Sequence, residues 1–120
     1  MLNKERLERW IGALESGEYK QTIGYLREPD AAQADRVLRY RYCAVGVGVQ
    51  VAWEELGGHV WRGPWCNAPQ TYQFFYDWLG VDQSEIPIHD DNGREGSVTG
   101  FNDYGAEFPE IAQRLRKEYL

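Results

Sequence analysis

The segment from Tyr40 to Gly58 constrains the fold of this chain most, because it is the only long apolar stretch in the sequence. Its four valines occupy alternate positions, which is typical of a β-strand. Its apolar residues also recur at helical spacing, and the pair of glycines after Leu56 is typical of the end of a helix. We therefore predict a short strand followed by a buried helix from about Cys43 to Leu56.

Two glycines, Gly46 and Gly48, fall inside this predicted helix. A glycine in the middle of a helix costs about 1 kcal/mol relative to alanine. We expect that both positions are kept small so that another segment of backbone can approach the helix closely.

Three other segments have the apolar period of an amphipathic helix. Residues 3 to 15 are followed by Ser16-Gly17, residues 71 to 80 end at Gly80, and a closing helix starts at about Pro109. The predicted core positions are Leu7, Trp10, Ile11 and Leu14 in the first segment, Tyr72, Phe75, Tyr76 and Leu79 in the second, and Phe108, Ile111, Ala112 and Leu115 in the third.

The segments between the helices predict a small amount of β-structure. Residues 19 to 27 alternate and are rich in aromatic residues, which favours a strand or an extended loop with Gly24 as a candidate bulge. Residues 28 to 35 indicate a surface loop, residues 59 to 69 a small hairpin or loop, and the acidic residues 81 to 97 a long exposed loop. We predict one α+β domain, residues 1–120, with about three main helices packed with a short β-sheet or hairpin.

The net charge of −6 limits the partners that this chain is expected to bind. Duplex nucleic acid and anionic membranes attract proteins through clustered Lys and Arg, so neither is an expected partner. No apolar run is long enough to cross a bilayer, and the first ten residues are charged where a secretory signal would be apolar. We expect a cytoplasmic protein whose two cysteines, Cys43 and Cys66, are free thiols.

Cys43 is the candidate reactive residue, because it lies at the predicted start of the central helix, where the helix dipole lowers the pKa of a thiol. A cysteine nucleophile also needs a base and an orienting group. The chain offers His59 or His89 as the base, Asn102, Asp103 or Asp90 as the orienting group, and Gln21 as an oxyanion donor. The alternative is that Cys43 is a small buried apolar residue and that Gln21 satisfies backbone groups.

Aromatic residues and arginines near the central segment offer a second kind of site. Together they would form a pocket that stacks a flat ligand and holds its anionic groups, although aromatic residues also fill cores. The residues of this set are Tyr19, Tyr25, Tyr40, Tyr42, Trp61 and Trp65 with Arg27, Arg39, Arg41 and Arg62. The acidic segment around His89 lacks the spacing of a calcium or zinc site, so we predict no metal and no cofactor.

Several short motifs are distributed along nearly the whole chain. They are Ser16-Gly17, then Tyr19, Gln21, Gly24, Leu26 and Arg27, then Tyr42-Cys43 with Val45-Gly46-Val47, then Trp78-Leu79-Gly80, and finally Asn102-Asp103 with Gly105, Phe108, Glu110, Ile111 and Ala112. In this order they resemble a family of small uncharacterised proteins of tailed phages and prophages. That family commonly has a second cysteine where this chain has Ala44, and a glycine where it has Thr22, which argues against chemistry that needs two adjacent thiols.

The resemblance implies a phage accessory protein that binds a host small molecule or a host protein in the cytoplasm of the host bacterium. Such proteins often act against bacterial defence, and one form of this hypothesis is the sequestration of a nucleotide-type immune signal. The alternatives are a Cys-dependent hydrolase or transferase that uses Cys43, and a virion or scaffold protein, including a homo-oligomer, with an aromatic interface. The predicted binding residues are Gln21, Tyr25, Arg27, Arg41, Tyr42, Cys43, Asn102 and Asp103.

Overall fold

Five helices and five short strands make up the computed structural model, which describes residues 1–30, 39–82 and 85–120. The predicted α+β class is confirmed. The helices are α1 (Lys4–Glu15), α2 (Ala44–Leu56), α3 (Pro69–Leu79), α4 (Val98–Asp103) and α5 (Phe108–Tyr119). The strands are β1 (Lys20–Gln21), β2 (Arg27–Pro29), β3 (Tyr40–Tyr42), β4 (Ile88–His89) and β5 (Glu95–Gly96).

Helix α2 is the central element, and the predicted strand followed by a helix is confirmed. Cys43 is its N-cap residue, and every residue from Ala44 to Val49 is buried. A Cβ atom at Gly46 would lie 1.7 Å from the carbonyl oxygen of Leu26, so the expected close approach of another backbone is confirmed there. At Gly48 the close neighbour is instead the ring of Phe75, 2.2 Å from such a Cβ atom.

The other predicted helices are also present, and their predicted apolar stripes face one core. In α1, Asn3 caps the first turn by accepting a hydrogen bond from the Arg6 backbone N–H, at 3.1 Å. Helix α5 packs against α1, and the Arg116 guanidinium lies 2.6 Å from the Glu15 carboxylate. The buried residues of these helices are Leu7, Trp10, Ile11 and Leu14 in α1, Thr71, Phe75, Tyr76, Trp78 and Leu79 in α3, and Phe108, Ile111, Ala112 and Leu115 in α5.

Strands β1, β3 and β2 form one sheet in that order, with β1 parallel and β2 antiparallel to β3. The prediction of a surface loop beginning at Glu28 is wrong for its first two residues, which belong to β2. Glu28 is buried, and it lies opposite Arg41 in the sheet, with 2.8 Å between their charged groups. The rest of that predicted loop, except Asp30, lies outside the described residues.

Residues 81 to 97 do not form the long exposed loop that we predicted. Strands β4 and β5 pair there as an antiparallel hairpin, and Ile86 and Ile88 both reach the core. Helix α4 follows directly, capped by the Ser97 hydroxyl, which accepts a hydrogen bond from the Gly100 N–H at 3.0 Å. Gly24 also differs from its prediction, since it occupies a turn with φ of 86° rather than a bulge in a longer strand.

The segment from residue 57 to 68 is a loop that is tied to the sheet near its end. Cys66 donates its N–H to the carbonyl of Arg27 at 3.0 Å and accepts a hydrogen bond from the Leu26 N–H at 2.9 Å. Among the described residues, no helix combines the length and the apolar character needed to cross a membrane.

Candidate binding groove

A groove of about 400 Å³ opens between β2, β3, the exposed side of α2 and the loop that follows α2. We call it the aromatic groove, because four of its side chains are aromatic. Its lining residues are Arg27, Tyr40, Tyr42, Gln50, Trp53, Gly58, His59, Val60 and Trp61.

The register of the sheet places one face of β2 and β3 in this groove. Arg27 lies opposite Tyr42, and Tyr40 is two residues from Tyr42, so all three side chains lie on the same face. The neighbouring pair, Glu28 and Arg41, lies on the opposite face. Because successive side chains of a strand point to opposite faces, the aromatic groove and the partly exposed ion pair of Glu28 and Arg41 lie on opposite sides of the sheet.

The Arg27 guanidinium is stacked between two aromatic rings. Its Cζ atom lies 4.0 Å from the ring centroid of Tyr40 and 4.3 Å from that of Trp61. Its Nη2 donates to the Gly63 carbonyl at 3.2 Å, and its Nε is buried without a hydrogen-bond partner among the described residues. Such stacking is worth roughly 0.5–2 kcal/mol, and it holds the loop against the sheet.

Further contacts fix the orientation of the rings. The Trp61 indole N–H donates to the Gln50 side-chain carbonyl at 3.1 Å, and the Trp53 indole N–H donates to the Gly58 carbonyl at 3.0 Å. Tyr42 contacts Trp61 at 6.0 Å between centroids, and burial raises the pKa of the Tyr42 hydroxyl. These contacts hold the rings of Tyr42, Trp53 and Trp61 in place.

Two of the eight predicted binding residues, Arg27 and Tyr42, line the aromatic groove. Tyr25 packs instead on Trp65, edge to face, with 5.5 Å between the ring centroids. Arg41 pairs with Glu28 on the other face of the sheet. These two residues therefore lie outside the groove.

Gln21 and Asn102 are in contact in the structure, but their hydrogen bonds stabilise the fold and are not directed at a ligand site. The Asn102 side-chain carbonyl accepts hydrogen bonds from the Gln21 amide at 2.8 Å and from the Ala44 N–H at 3.0 Å. The Asn102 amide donates to the Thr22 carbonyl at 2.8 Å. Asn102 is fully buried, so these bonds use its polar atoms and leave none facing solvent.

The same network continues to its neighbours. Gln21 also donates to the Ala106 carbonyl at 2.7 Å and accepts from the Phe108 N–H at 3.2 Å. Asp103 accepts from the Gly24 N–H at 3.2 Å. The network joins β1, α2, α4 and α5, which fits the alternative that Gln21 satisfies backbone groups.

The surroundings of Cys43 do not favour a nucleophile. Its sulfur is buried and accepts a hydrogen bond from the Gly46 N–H at 3.4 Å. Burial raises the pKa of the Cys43 thiol to about 11, because loss of water outweighs the backbone N–H groups at the helix start. Of the candidate bases, His89 is hydrogen-bonded through Nδ1 to Glu118 at 2.7 Å, and His59 lines the aromatic groove.

The sequence interpretation did not single out Gln50, Trp53 and Val60. Gln50 and Trp53 are three residues apart on the side of α2 that faces away from the core, where a helix places such pairs on one surface. The sequence did contain a signal for this site: Trp53 places an indole on the polar side of a helix that is otherwise buried. Within residues 1–30, 39–82 and 85–120, no group of three His, Cys, Asp or Glu side chains is arranged to hold a metal ion.

Comparison with known proteins adds no relative from which a function could be carried over. The chain matches no family model, and no curated protein or solved structure is significantly similar to it.

Proposed function

We propose that this protein acts by binding, and that the aromatic groove takes a planar aromatic ligand of the nucleobase type. The observation that carries the proposal is the convergence of Tyr40, Tyr42, Trp53 and Trp61 on one groove of about 400 Å³. Binding sites for small molecules are mostly apolar and aromatic, with a few polar groups that fix orientation. Gln50 and His59 are the polar, uncharged side-chain types in the lining of this groove.

Stacking on aromatic side chains is the general means by which proteins hold a nucleobase, and each stacked base contributes roughly 1–3 kcal/mol. The rings here are anchored by the hydrogen bonds to Gln50 and Gly58, so little conformational entropy is lost on binding. Binding is favoured over Cys-dependent catalysis because Cys43 is only 2% exposed and has a raised pKa.

The resemblance to tailed-phage and prophage proteins suggests where such binding would act. We place it in the cytoplasm of a host bacterium, where the protein would sequester a host molecule, and a nucleotide-type signal of bacterial defence is the ligand that best suits an aromatic groove.

The test is isothermal calorimetry with the four common nucleosides and their linear and cyclic monophosphates. We expect saturable binding of at least one of them, and we expect Trp61→Ala to weaken it about tenfold or more, because one wall of the groove and a ring that holds Arg27 in place are lost. Trp65→Ala is the matched control, since Trp65 belongs to the same loop but does not line the groove. Equal loss in both variants, or no binding to any compound, would contradict the proposal.

An interaction protein is the second candidate, and one exposed surface favours it. Ile23 and Trp65 are each more than half exposed, at 56% and 55%, and Tyr25 packs beside Trp65. Apolar and aromatic residues of this kind are enriched at the centres of interfaces. Native mass spectrometry would show a dimer or higher oligomer that Trp65→Ala dissociates, whereas a monomer at all concentrations would remove the homo-oligomer.

A further inference from the structure

We infer that the ligand of the aromatic groove is anionic, a single nucleotide rather than a nucleoside, and that Arg27 recognises its phosphate. This inference rests on the proposed function, and it assigns a charge and a size class to the ligand. The Arg27 guanidinium lies in the groove between aromatic rings.

Arginines in this acidic protein are generally paired with carboxylates. Arg6 and Arg9 pair with Glu55, Arg41 with Glu28, Arg114 with Asp91 and Glu110, and Arg116 with Glu15. Arg27 instead has two aromatic rings and one backbone carbonyl around its guanidinium, and no carboxylate among the described residues is within ion-pair distance. Arg62 and Arg94 also form no ion pair with a carboxylate within the described residues, but they are exposed, whereas Arg27 is partly buried and lines the groove.

The hydrogen-bonding capacity of Arg27 is also incompletely used. A guanidinium has five N–H donors, and the one side-chain hydrogen bond formed within the described residues is that from Nη2 to Gly63. The Nε atom is buried without a partner among the described residues, as are the Nε atoms of Arg41 and Arg114. A buried donor without a partner is costly, and an anion that enters the groove would bring hydrogen-bond acceptors to Arg27.

Phosphate is the anion that this geometry fits best. The planar fork of an arginine matches the spacing of phosphate oxygens, and stacking between Tyr40 and Trp61 fixes the plane of the fork. A base that stacks on the remaining faces of Tyr42 or Trp53 would carry its phosphate next to Arg27. Arg27 and all four aromatic residues line the same groove.

The size of the groove selects one nucleotide rather than two. Its volume of about 400 Å³ lies near the small end of the roughly 300–1,000 Å³ that ligand pockets span. Glu54, the carboxylate that accepts a hydrogen bond from Gln50 at 3.2 Å, is not among the lining residues, so no acidic side chain of the described residues lines the groove. Arg27 is therefore the only charged arginine or carboxylate side chain in the described lining.

The decisive measurement is the ratio of two affinities, that of a nucleoside and that of its 5′-monophosphate, by calorimetry at low salt. For the intact protein we expect the monophosphate to bind at least tenfold more tightly, and the ratio to fall as salt screens the charge. In Arg27→Gln, which keeps a planar side chain without charge, we expect the ratio to fall to about one. Arg27→Lys should retain only part of the preference, because a lysine lacks the fork.

Arg94→Gln is the matched control, since it removes the same charge from an exposed residue of the hairpin β4–β5 that does not line the aromatic groove. We expect its ratio to equal that of the intact protein. Equal binding of nucleoside and monophosphate would overturn the anion site while leaving the groove. An unchanged ratio in Arg27→Gln would also overturn it. If no compound binds at all, the groove proposal fails first, and this inference fails with it.

Discussion

The pKa of the Cys43 thiol, at the start of α2, is determined by burial rather than by the helix dipole. The dipole and the N–H groups of the first turn lower the pKa of a thiol. Here the loss of water around a sulfur that is almost fully enclosed is the larger effect, and the pKa of the Cys43 thiol rises to about 11. The residue is thus a neutral N-cap that accepts a hydrogen bond from Gly46, and not an activated nucleophile.

This raised pKa predicts a loss of stability at alkaline pH. Below about pH 9 the thiol is protonated in both the folded and the unfolded chain, so it does not affect folding. Between about pH 9 and pH 11 the unfolded chain ionises first, and the folded state loses up to about 2–3 kcal/mol relative to it. We expect Cys43→Ser, which keeps a capping oxygen but does not titrate there, to reduce this fall in urea unfolding at pH 8 and pH 10.5.

Cys66→Ser is the control for that experiment. Burial raises the pKa of Cys66, but N–H groups of Ala68 and Arg62 and the Thr71 hydroxyl more than offset this, so that its pKa is lowered. Its ionisation therefore favours the folded state as pH rises, and removing it will not flatten the alkaline fall. Identical pH profiles for the intact protein and Cys43→Ser would disprove the role assigned to burial.

The polar network around Asn102 holds helices and a strand together, as apolar packing does elsewhere in the molecule. Its side chain connects α4 to the first residue of α2 and to the backbone after β1. Gln21 extends the network to the start of α5. Buried polar groups of this kind stabilise a fold only when all of them are satisfied, and here each has a partner.

We expect Asn102→Ala to cost about 3 kcal/mol or more of folding free energy. The change leaves the Ala44 N–H and the Thr22 carbonyl without their partners, and each buried unsatisfied group costs roughly 1–3 kcal/mol. Asn92→Ala, in the exposed turn of the hairpin, is the matched control and should be nearly neutral. Urea unfolding followed by circular dichroism measures both, and a loss below about 1 kcal/mol in Asn102→Ala would refute the role of the network.

Helices in which apolar residues repeat at a regular spacing over several turns could be predicted from the sequence, but the shortest strands and helix α4 could not. Helices α1, α2, α3 and α5 each place several apolar residues on one face. Strands β4 and β5 contain two residues each, which is too few for an alternating pattern to show, and α4 contains six. Pro29 argued against a strand, yet proline is tolerated in β2 because that strand lies at the edge of its sheet.

The site was partly predictable for a related reason. The aromatic residues and Arg27 could be grouped by composition, and the structure does bring Tyr40, Tyr42 and Trp61 around Arg27. Polar residue types, in contrast, do not reveal whether a side chain faces a ligand or the backbone. Gln21 and Asn102 were predicted to bind for that reason, and their partners are main-chain groups from distant segments.

For the whole molecule, the apolar side chains of the helices and of the hairpin segment meet in one core. Helix α5 contributes Phe108, Ile111, Ala112 and Leu115 to it, against α1. Burying each of the larger side chains stabilises the fold by about 1.5–3 kcal/mol, so α5 accounts for a sum comparable to the roughly 5–15 kcal/mol by which whole domains are stable.

A fragment of residues 1–105, which lacks α5, is therefore expected not to fold. Its near-ultraviolet circular dichroism should be flat and its amide proton resonances should lack dispersion. Deletion of Leu120 alone, a residue that is half exposed, should leave the melting temperature within about two degrees of the intact protein. A fragment 1–105 with a native spectrum would show that α5 is dispensable to the core.

The first turn of α2 has a consequence for how fast the chain can fold. Backbone groups at the start of this helix form hydrogen bonds with distant residues. The Trp10 indole N–H donates to the Ala44 carbonyl, the Ala44 N–H donates to the Asn102 side chain, and the Cys43 N–H donates to the Leu26 carbonyl. The most distant of these partners, Asn102, is 58 residues from Ala44 in the sequence. The start of α2 is therefore fully hydrogen-bonded only after long loops have closed. Refolding should accordingly be one cooperative phase, slower than that of a helical bundle of equal length, because non-local contacts set the rate.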